Sequence, residues 1–187
     1  MENGKLELII GNMFSGKTSE LIRRVNKLKS INKKILVVNF VNDNRYSTNS
    51  VASHDNLKIN CLKLDKLSNI TDNMIQQYDS FFIDEGQFFS DLYNSVINLV
   101  DNHHKHVVVS GLDGDSLRNP FGDMVKLIPC CDTVDKFTAY CVKCNDGTPA
   151  PFTKKKIAET GKSNKNVIDI GGTDKYISVC RNHYTCL

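Results

Sequence analysis

Proline occurs four times and glycine eleven times in 187 residues, so the chain has no room for a long low-complexity segment. Disorder is expected only in loops and at the ends. No apolar run approaches the roughly 20 residues that span a bilayer. The opening MENGK lacks the basic start and apolar stretch of a secretory signal. These absences argue against a membrane partner and for a cytoplasmic location. Charge of one sign is not concentrated either. The formal net charge is +3, and the basic residues are dispersed apart from KKK at Lys154 to Lys156. No stripe marks a duplex-binding face, so no nucleic-acid partner is expected.

The composition that remains, 40% hydrophobic and 24% charged, is that of a soluble globular protein. The length suits one substantial core with a small appendage. Seven cysteines, an odd number, point in a reducing compartment toward metal ligation or buried thiols rather than a disulfide framework.

Along the chain, LELII (6–10) reads as a buried strand, and SELIRRVNKLKS sets Leu21, Ile22, Val25 and Leu28 at helical spacing. KKILVVNFV (33–41), LKINCLKL (57–64), SFFID (80–84) and HVVVSGLD (106–113) are further strand candidates, with DLYNSVINLVDN a helix between the last two. Near-continuous apolar strands alternating with helices predict an α/β core with a parallel sheet covered on both faces. After about Asp135 the apolar periodicity fades, giving an expected division into a nucleotide-binding core (1–135) and a small C-terminal module (136–187).

The octapeptide Gly11, Asn12, Met13, Phe14, Ser15, Gly16, Lys17, Thr18 fits the G-x-x-x-x-G-K-[ST] phosphate-loop pattern between a strand and a helix. Its glycines let backbone N–H groups turn inward around an anion, and the helix that follows directs its positive end at the phosphates. Lys17 is expected at the β- and γ-phosphates and the Thr18 hydroxyl on Mg²⁺. The strand SFFI ends in Asp84, where a carboxylate can hold Mg²⁺ through water. Glu85 beside it is left free as a base for an attacking hydroxyl. A glycine-bearing turn and a solvated acidic strand end are the plain alternatives.

Together with DNRYS (43–47), DEGQFF (84–89), LDG (112–114), NPFG (119–122) and IGGTDKY (170–176), the phosphate loop closely resembles the type II thymidine kinases, in the same order over nearly the whole chain. The resemblance implies a P-loop core and a zinc module carrying a lasso over the base. It implies transfer of the γ-phosphate of ATP to the 5′-hydroxyl of thymidine with Mg²⁺, deoxyuridine being a second candidate acceptor. It makes Glu85 the general base and Asp84 the metal-side carboxylate, and puts Asp43, Asn44 and Arg45 near the phosphates. Gln87, counted with the phosphate side, and Phe88 edge the nucleoside pocket, while Phe89 reads as core. Leu112, Ser116 and Phe121 line the base, and the lasso over it is Val167, Ile168, Asp169, Ile170 and Gly171, with Tyr176. A homotetramer and feedback inhibition by thymidine triphosphate are implied as well.

This chain departs from the family in three places. Asn12 stands where cellular and poxviral members carry proline, adding an N–H donor. Ser116 replaces an aromatic, which removes apolar contact from the base pocket and leaves the thymidine-to-deoxyuridine preference open. In place of two C-x-x-C pairs, Cys141 and Cys144 are matched by Cys180 and His183. Three thiolates and an imidazole still make a tetrahedral structural zinc set, with free thiols, or Cys186 in place of His183, as the alternatives. Cys61, Cys130 and Cys131 are expected as buried small residues, and His103, His104 and His106 as loop.

Two other classes compete. A nucleic-acid-dependent ATPase fits the KKK run and the knuckles, but no aromatic-basic platform accompanies them. A nucleotide sensor without turnover fits poorly with intact Lys17, Thr18, Asp84 and Glu85.

Overall fold

The computed structural model describes residues 3–41, 50–52, 58–156 and 174–185. Its elements in chain order are β1 (Lys5–Gly11), α1 (Lys17–Lys29), β2 (Ile35–Phe40), β3 (Ser50–Ala52), β4 (Lys58–Asn60), β5 (Leu62–Leu64), α2 (Asp72–Gln77), β6 (Ser80–Ile83), α3 (Leu92–Ile97), β7 (His106–Gly111), β8 (Thr133–Phe137), β9 (Ala139–Tyr140), β10 (Pro149–Ala150), β11 (Phe152–Lys155), β12 (Tyr176–Val179) and α4 (Arg181–Thr185).

Six strands form a parallel sheet in the order β5-β2-β6-β7-β1-β8. Side chains alternate across a strand, and here both faces are apolar. Leu6, Leu8 and Ile10 of β1 face one way, with Phe81, Ile83, Val107 and Val109, onto α2, α3, Met124 and Leu127. Ile9, Val37, Phe82 and Val108 face the other way onto Leu21, Ile22 and Val25 of α1. The helix presents that stripe because its apolar residues recur at three and four, and Glu20 early with Lys27 and Lys29 late suits its dipole.

Three elements differ from the reading of the sequence. LKINCLKL is not one strand: β4 pairs antiparallel with β3, and β5 joins the main sheet beside β2. The predicted helix after β6 starts at Leu92, and its last turn, Asn98–Asn102, widens to π-helical bonding. An edge strand, β8, pairs parallel with β1 and is largely exposed, so it carries no apolar run to announce it; it crosses position 135. The cysteines outside the metal set are also corrected: Cys130 is exposed, and Cys61 and Cys131 are only half-buried. His103 and His104 lie in the turn, while His106 opens β7 and reaches Glu7 of β1.

Beyond β8 come two antiparallel pairs, β9 with β10 and β11 with β12, followed by α4. Among the described residues, their apolar cluster gathers the buried Ala139, Cys141, Ala150, Val179 and Cys180, with Phe14 of the loop after β1 packed against them. So small a core calls for a further constraint.

Candidate active site and metal centre

The loop after β1 turns at the carboxyl edge of the sheet, where open parallel sheets bind ligands. Gly11 (φ 146°) and Gly16 (φ 87°) take backbone conformations that favour glycine, and a Cβ on Gly11 would stand 2.2 Å from the Phe137 carbonyl oxygen. Gly16 precedes the first turn of α1 without a side-chain cap, so that turn's N–H groups are not taken up by a capping side chain. Lys17 Nζ donates to the Asn12 carbonyl at 2.6 Å, and Ser15 Oγ to the same oxygen at 2.8 Å.

Asp84 ends the run of β6, is 3% exposed, and accepts from Thr18 Oγ1 at 3.3 Å. A hydroxyl and a buried carboxylate on adjoining elements form an oxygen donor set of the kind Mg²⁺ takes. Glu85 follows in the left-handed region, φ 55°, a conformation uncommon for a non-glycine residue. Gln87 bridges outward from it: Nε2 donates to Glu85 Oε2 at 2.5 Å, and Oε1 accepts from Leu112 N at 2.9 Å. A Cβ on Gly111 would meet Gln87 Oε1 at 2.6 Å and Met124 Sδ at 2.9 Å, so a larger residue there would push the Gln87 amide out of this position. Phe88 lies between Phe40, tilted by 31°, and Phe121, edge-to-face at 86°, with ring centroids 5.5 Å apart on each side.

The second cluster gathers Cys141, Cys144, Cys180 and His183 with all ligand atoms within 4.8 Å of one another. Cys144 Sγ to Cys180 Sγ is 3.8 Å, and His183 Nδ1 lies 3.3–3.6 Å from the three sulfurs. Zn–S bonds of about 2.3 Å at the tetrahedral angle give edges of about 3.8 Å, so the set fits a metal such as zinc. Burial penalises the Cys141 thiolate, yet N–H groups of Cys180, Cys144 and Lys143 outweigh it and lower that thiol to about 6. Burial and the neighbouring sulfurs push Cys144 up to about 11, despite the Thr148 hydroxyl.

The structure therefore brings Gly11 to Thr18, Asp84, Glu85, Gln87, Phe88, Leu112 and Phe121 to one edge, and Tyr176 to the buried start of β12. Asp43, Asn44, Arg45, Val167, Ile168, Asp169, Ile170, Gly171 and Cys186 lie outside the described residues. Sequence reading missed the ties between the two parts. Thr153 Oγ1 accepts from Met13 N at 3.0 Å, Ser178 Oγ donates to the Met13 carbonyl at 2.9 Å, and Asn12 Oδ1 accepts from Ala139 N at 3.3 Å. Proline at position 12 could not make the last of these. Asn12 Nδ2 is buried without an acceptor among the described residues. Only the alternation of FTKK and YISV, which turns Thr153 and Ser178 inward, hinted at these bonds.

Comparison with known proteins follows the same outline. The sequence pattern of the family described as thymidine kinase matches residues 4–184. The chain is 41% identical over 186 residues to a thymidine kinase of Oryza sativa subsp. japonica, covering 97% of this chain and 66% of that protein. It is 38% identical to thymidine kinase a of Arabidopsis thaliana, spanning 75% of its length. Against the thymidine kinase of Variola virus the identity is 40% over 184 residues, 98% of each chain.

Proposed function

The chain belongs to the thymidine kinase family, and from that membership with the site's geometry we infer that it phosphorylates thymidine, using ATP as donor. The observation that carries the reading is the meeting of Thr18 and Asp84 beside Glu85, at the mouth of a glycine loop that opens a helix.

In the reaction, backbone N–H groups of the loop and Lys17 hold the phosphates, with Asp43, Asn44 and Arg45 contributing from their segment. Lys17 gives up the Asn12 carbonyl for phosphate oxygens. Thr18 and Asp84 would hold Mg²⁺, which when bound supplies neutralisation of phosphate charge. Glu85 takes the proton of the 5′-hydroxyl as that oxygen bonds to the γ-phosphorus. The bridging oxygen leaves with its electron pair on ADP, and thymidine monophosphate forms. Gln87 holds Glu85 in place through its 2.5 Å bond. Leu112, Ser116, Phe121, Phe88 and Tyr176 wall the base, and Val167 to Gly171 close over it through main-chain groups. A serine at 116 gives the thymine methyl little to press against, so deoxyuridine is accepted as well, a methyl being worth only about 1–3 kcal/mol.

Cys141, Cys144, Cys180 and His183 hold a structural Zn²⁺ that orders the module. The outer edge of β8, with Val134 exposed, supports assembly into a homotetramer. Thymidine triphosphate, offering both base and phosphates to one site, acts as feedback inhibitor. The enzyme works in the cytoplasm on free nucleosides; no helix among the described residues is long and apolar enough to cross a membrane.

The test offers thymidine, deoxyuridine, deoxycytidine and single-stranded DNA separately, with ATP and Mg²⁺. Monophosphate is expected from thymidine, and from deoxyuridine at a lower kcat/KM. ATP consumption raised only by DNA, with no monophosphate, would refute the reading.

A further inference from the structure

The segment after β7 folds into a tongue. Its two legs meet at Gly114 and Pro120, Asp115 N bonds Asn119 O at 2.9 Å, and Asp115 Oδ1 accepts from Leu117 N and Asn119 N, each at 2.8 Å. At the root, Leu112 is bonded to Gln87 and Phe121 packs on Phe88. At the tip, 116–118, Leu117 is 67% exposed.

That tip is grasped from the metal-holding module. Tyr184 Oη donates to the Ser116 carbonyl at 2.9 Å. The Arg118 guanidinium lies 4.3 Å from the centroid of the Tyr184 ring and 5.4 Å from that of Phe152. Arg118 also sits at φ 67°, a conformation a non-glycine residue keeps only where its surroundings hold it. The grasping side is anchored in turn. Five-residue α4 is too short to persist alone. Lys154 Nζ donates to the carbonyls of His183 and Tyr184 at 3.0 and 3.2 Å, and Tyr184 N bonds Cys180 O at 2.9 Å. Tyr184 is thus oriented by the residues that gather the metal donors.

We propose that Tyr184 and Arg118 are positioning residues: they clamp the tongue at the height where its wall meets the thymine ring, and so set thymidine affinity and discrimination against deoxyuridine. The proposal rests on Leu112, Ser116 and Phe121 being that wall, as read above. With serine at 116, the placement of the tongue's backbone, rather than side-chain bulk, decides how closely the wall approaches the base. The bonds and ring contacts of the two clamp residues run between the tongue and the module rather than to Lys17, Thr18, Asp84 or Glu85, so the chemical step is expected to change little.

The experiment uses the zinc-loaded full chain, wild type beside Tyr184→Phe, Arg118→Ala and Arg118→Lys. Tyr184→Phe keeps the ring over Arg118 and deletes one hydrogen bond. Its thymidine KM is expected to rise about threefold to tenfold. Its kcat and ATP KM stay within about twofold, and the thymidine-to-deoxyuridine ratio of kcat/KM falls. Amide exchange quickens across 112–122 but not in β1 or β7, with zinc content unchanged. Arg118→Ala has the larger effect and Arg118→Lys partly restores it, since an ammonium still sits over the ring. Unchanged exchange across the tongue overturns the clamp. So do quickened exchange with unchanged thymidine KM and ratio, and equal loss of kcat for both nucleosides. A wild-type chain that turns over no thymidine sinks the functional reading and this proposal with it. Normal wild-type turnover beside an unaltered Tyr184→Phe sinks the clamp alone.

Discussion

Replacing Glu85 by glutamine tests the chemical step with little disturbance of the fold. The backbone at 85 is left-handed, φ 55°, and glutamine meets the same steric cost there as glutamate, so that term cancels between the two proteins. The side chain loses its negative charge but keeps its shape, and its carbonyl oxygen still accepts from Gln87 Nε2, now 2.5 Å from Glu85 Oε2. Gln87 in turn keeps its bond to Leu112. What is lost is the ability to take a proton. Positioned bases contribute about 10²–10⁴ in rate, so kcat should fall by that factor, about 3–5 kcal/mol of barrier at 25 °C. Thymidine monophosphate formation measures kcat, calorimetric titration with ATP and Mg²⁺ measures donor affinity, and thermal unfolding checks the fold. We expect unchanged donor affinity and a melting temperature within about 2 °C. Turnover within tenfold of wild type would refute the assignment of the base, and a loss of ATP binding equal to the loss of turnover would move Glu85 to the metal side.

Other expectations rest on separate parts of the molecule. His183→Ala removes one of the four side chains of the cluster that could hold a metal; zinc per chain should drop below one by atomic emission, and thermal unfolding should fall by more than about 5 °C. Wild-type protein that purifies without zinc and ignores chelators would defeat this. Arg24 bonds Glu7, Glu20 and Asp135 at 2.7, 2.8 and 2.6 Å, joining α1 to β1 and β8, and its loss in Arg24→Met should lower unfolding free energy by about 1–3 kcal/mol in urea. The same network sets an acid limb. Arg23, against the opposing effect of burial and together with Arg24, lowers Glu20 from 4.5 to about 2, and His106 with Lys5 holds Glu7 well below the usual range. A carboxylate with a depressed folded-state pKa contributes fully above its unfolded value and loses that contribution as pH falls toward the folded one. Stability should therefore decline from about pH 4.5 toward pH 2, and Arg24→Met, with less stabilisation left to lose from Glu20, should show a somewhat shallower decline from its lower plateau; an equally steep acid limb in both proteins would contradict this. Ser110 is fully buried in β7 with its hydroxyl unpartnered among the described residues, so Ser110→Ala should be neutral or stabilising by up to about 1 kcal/mol. A destabilisation beyond that would reveal a partner for the hydroxyl.

Much of this protein is legible where one local rule suffices. Two-sided apolar strands can only lie inside a covered parallel sheet, and Leu21, Ile22 and Val25 can share only a helix face. A glycine loop between such a strand and such a helix has one common use. The spacing of two between paired ligands predicted the cluster of Cys141, Cys144, Cys180 and His183, because that spacing lets both members of a knuckle face one ion. Local rules ran out where partners are distant in sequence. β8 has no apolar signature because one edge of the sheet needs none, and its pairing with β1 exists only once β1 is flanked. Cys130 is exposed at the end of the short 3₁₀ segment Val125–Cys130, too brief for an apolar period to announce which side is buried.

The sequence by itself determined the α/β layering, the glycine loop, the acidic strand end and the paired spacing of the cysteines, since each is written in residues close together or at a fixed period; it left His183 and Cys186 open as the fourth member of the cluster, and the structure gathers His183 with the three sulfurs. Only the tertiary structure decided that Gln87 joins Glu85 to Leu112, that Thr153 and Ser178 hold Met13, and that Tyr184 reaches Ser116. Those bonds link residues separated by up to 165 positions. A hydroxyl or an amide carries no mark of the partner it will meet; the packing of layers brings the two within hydrogen-bonding distance, and burial then makes the bond costly to leave unmade.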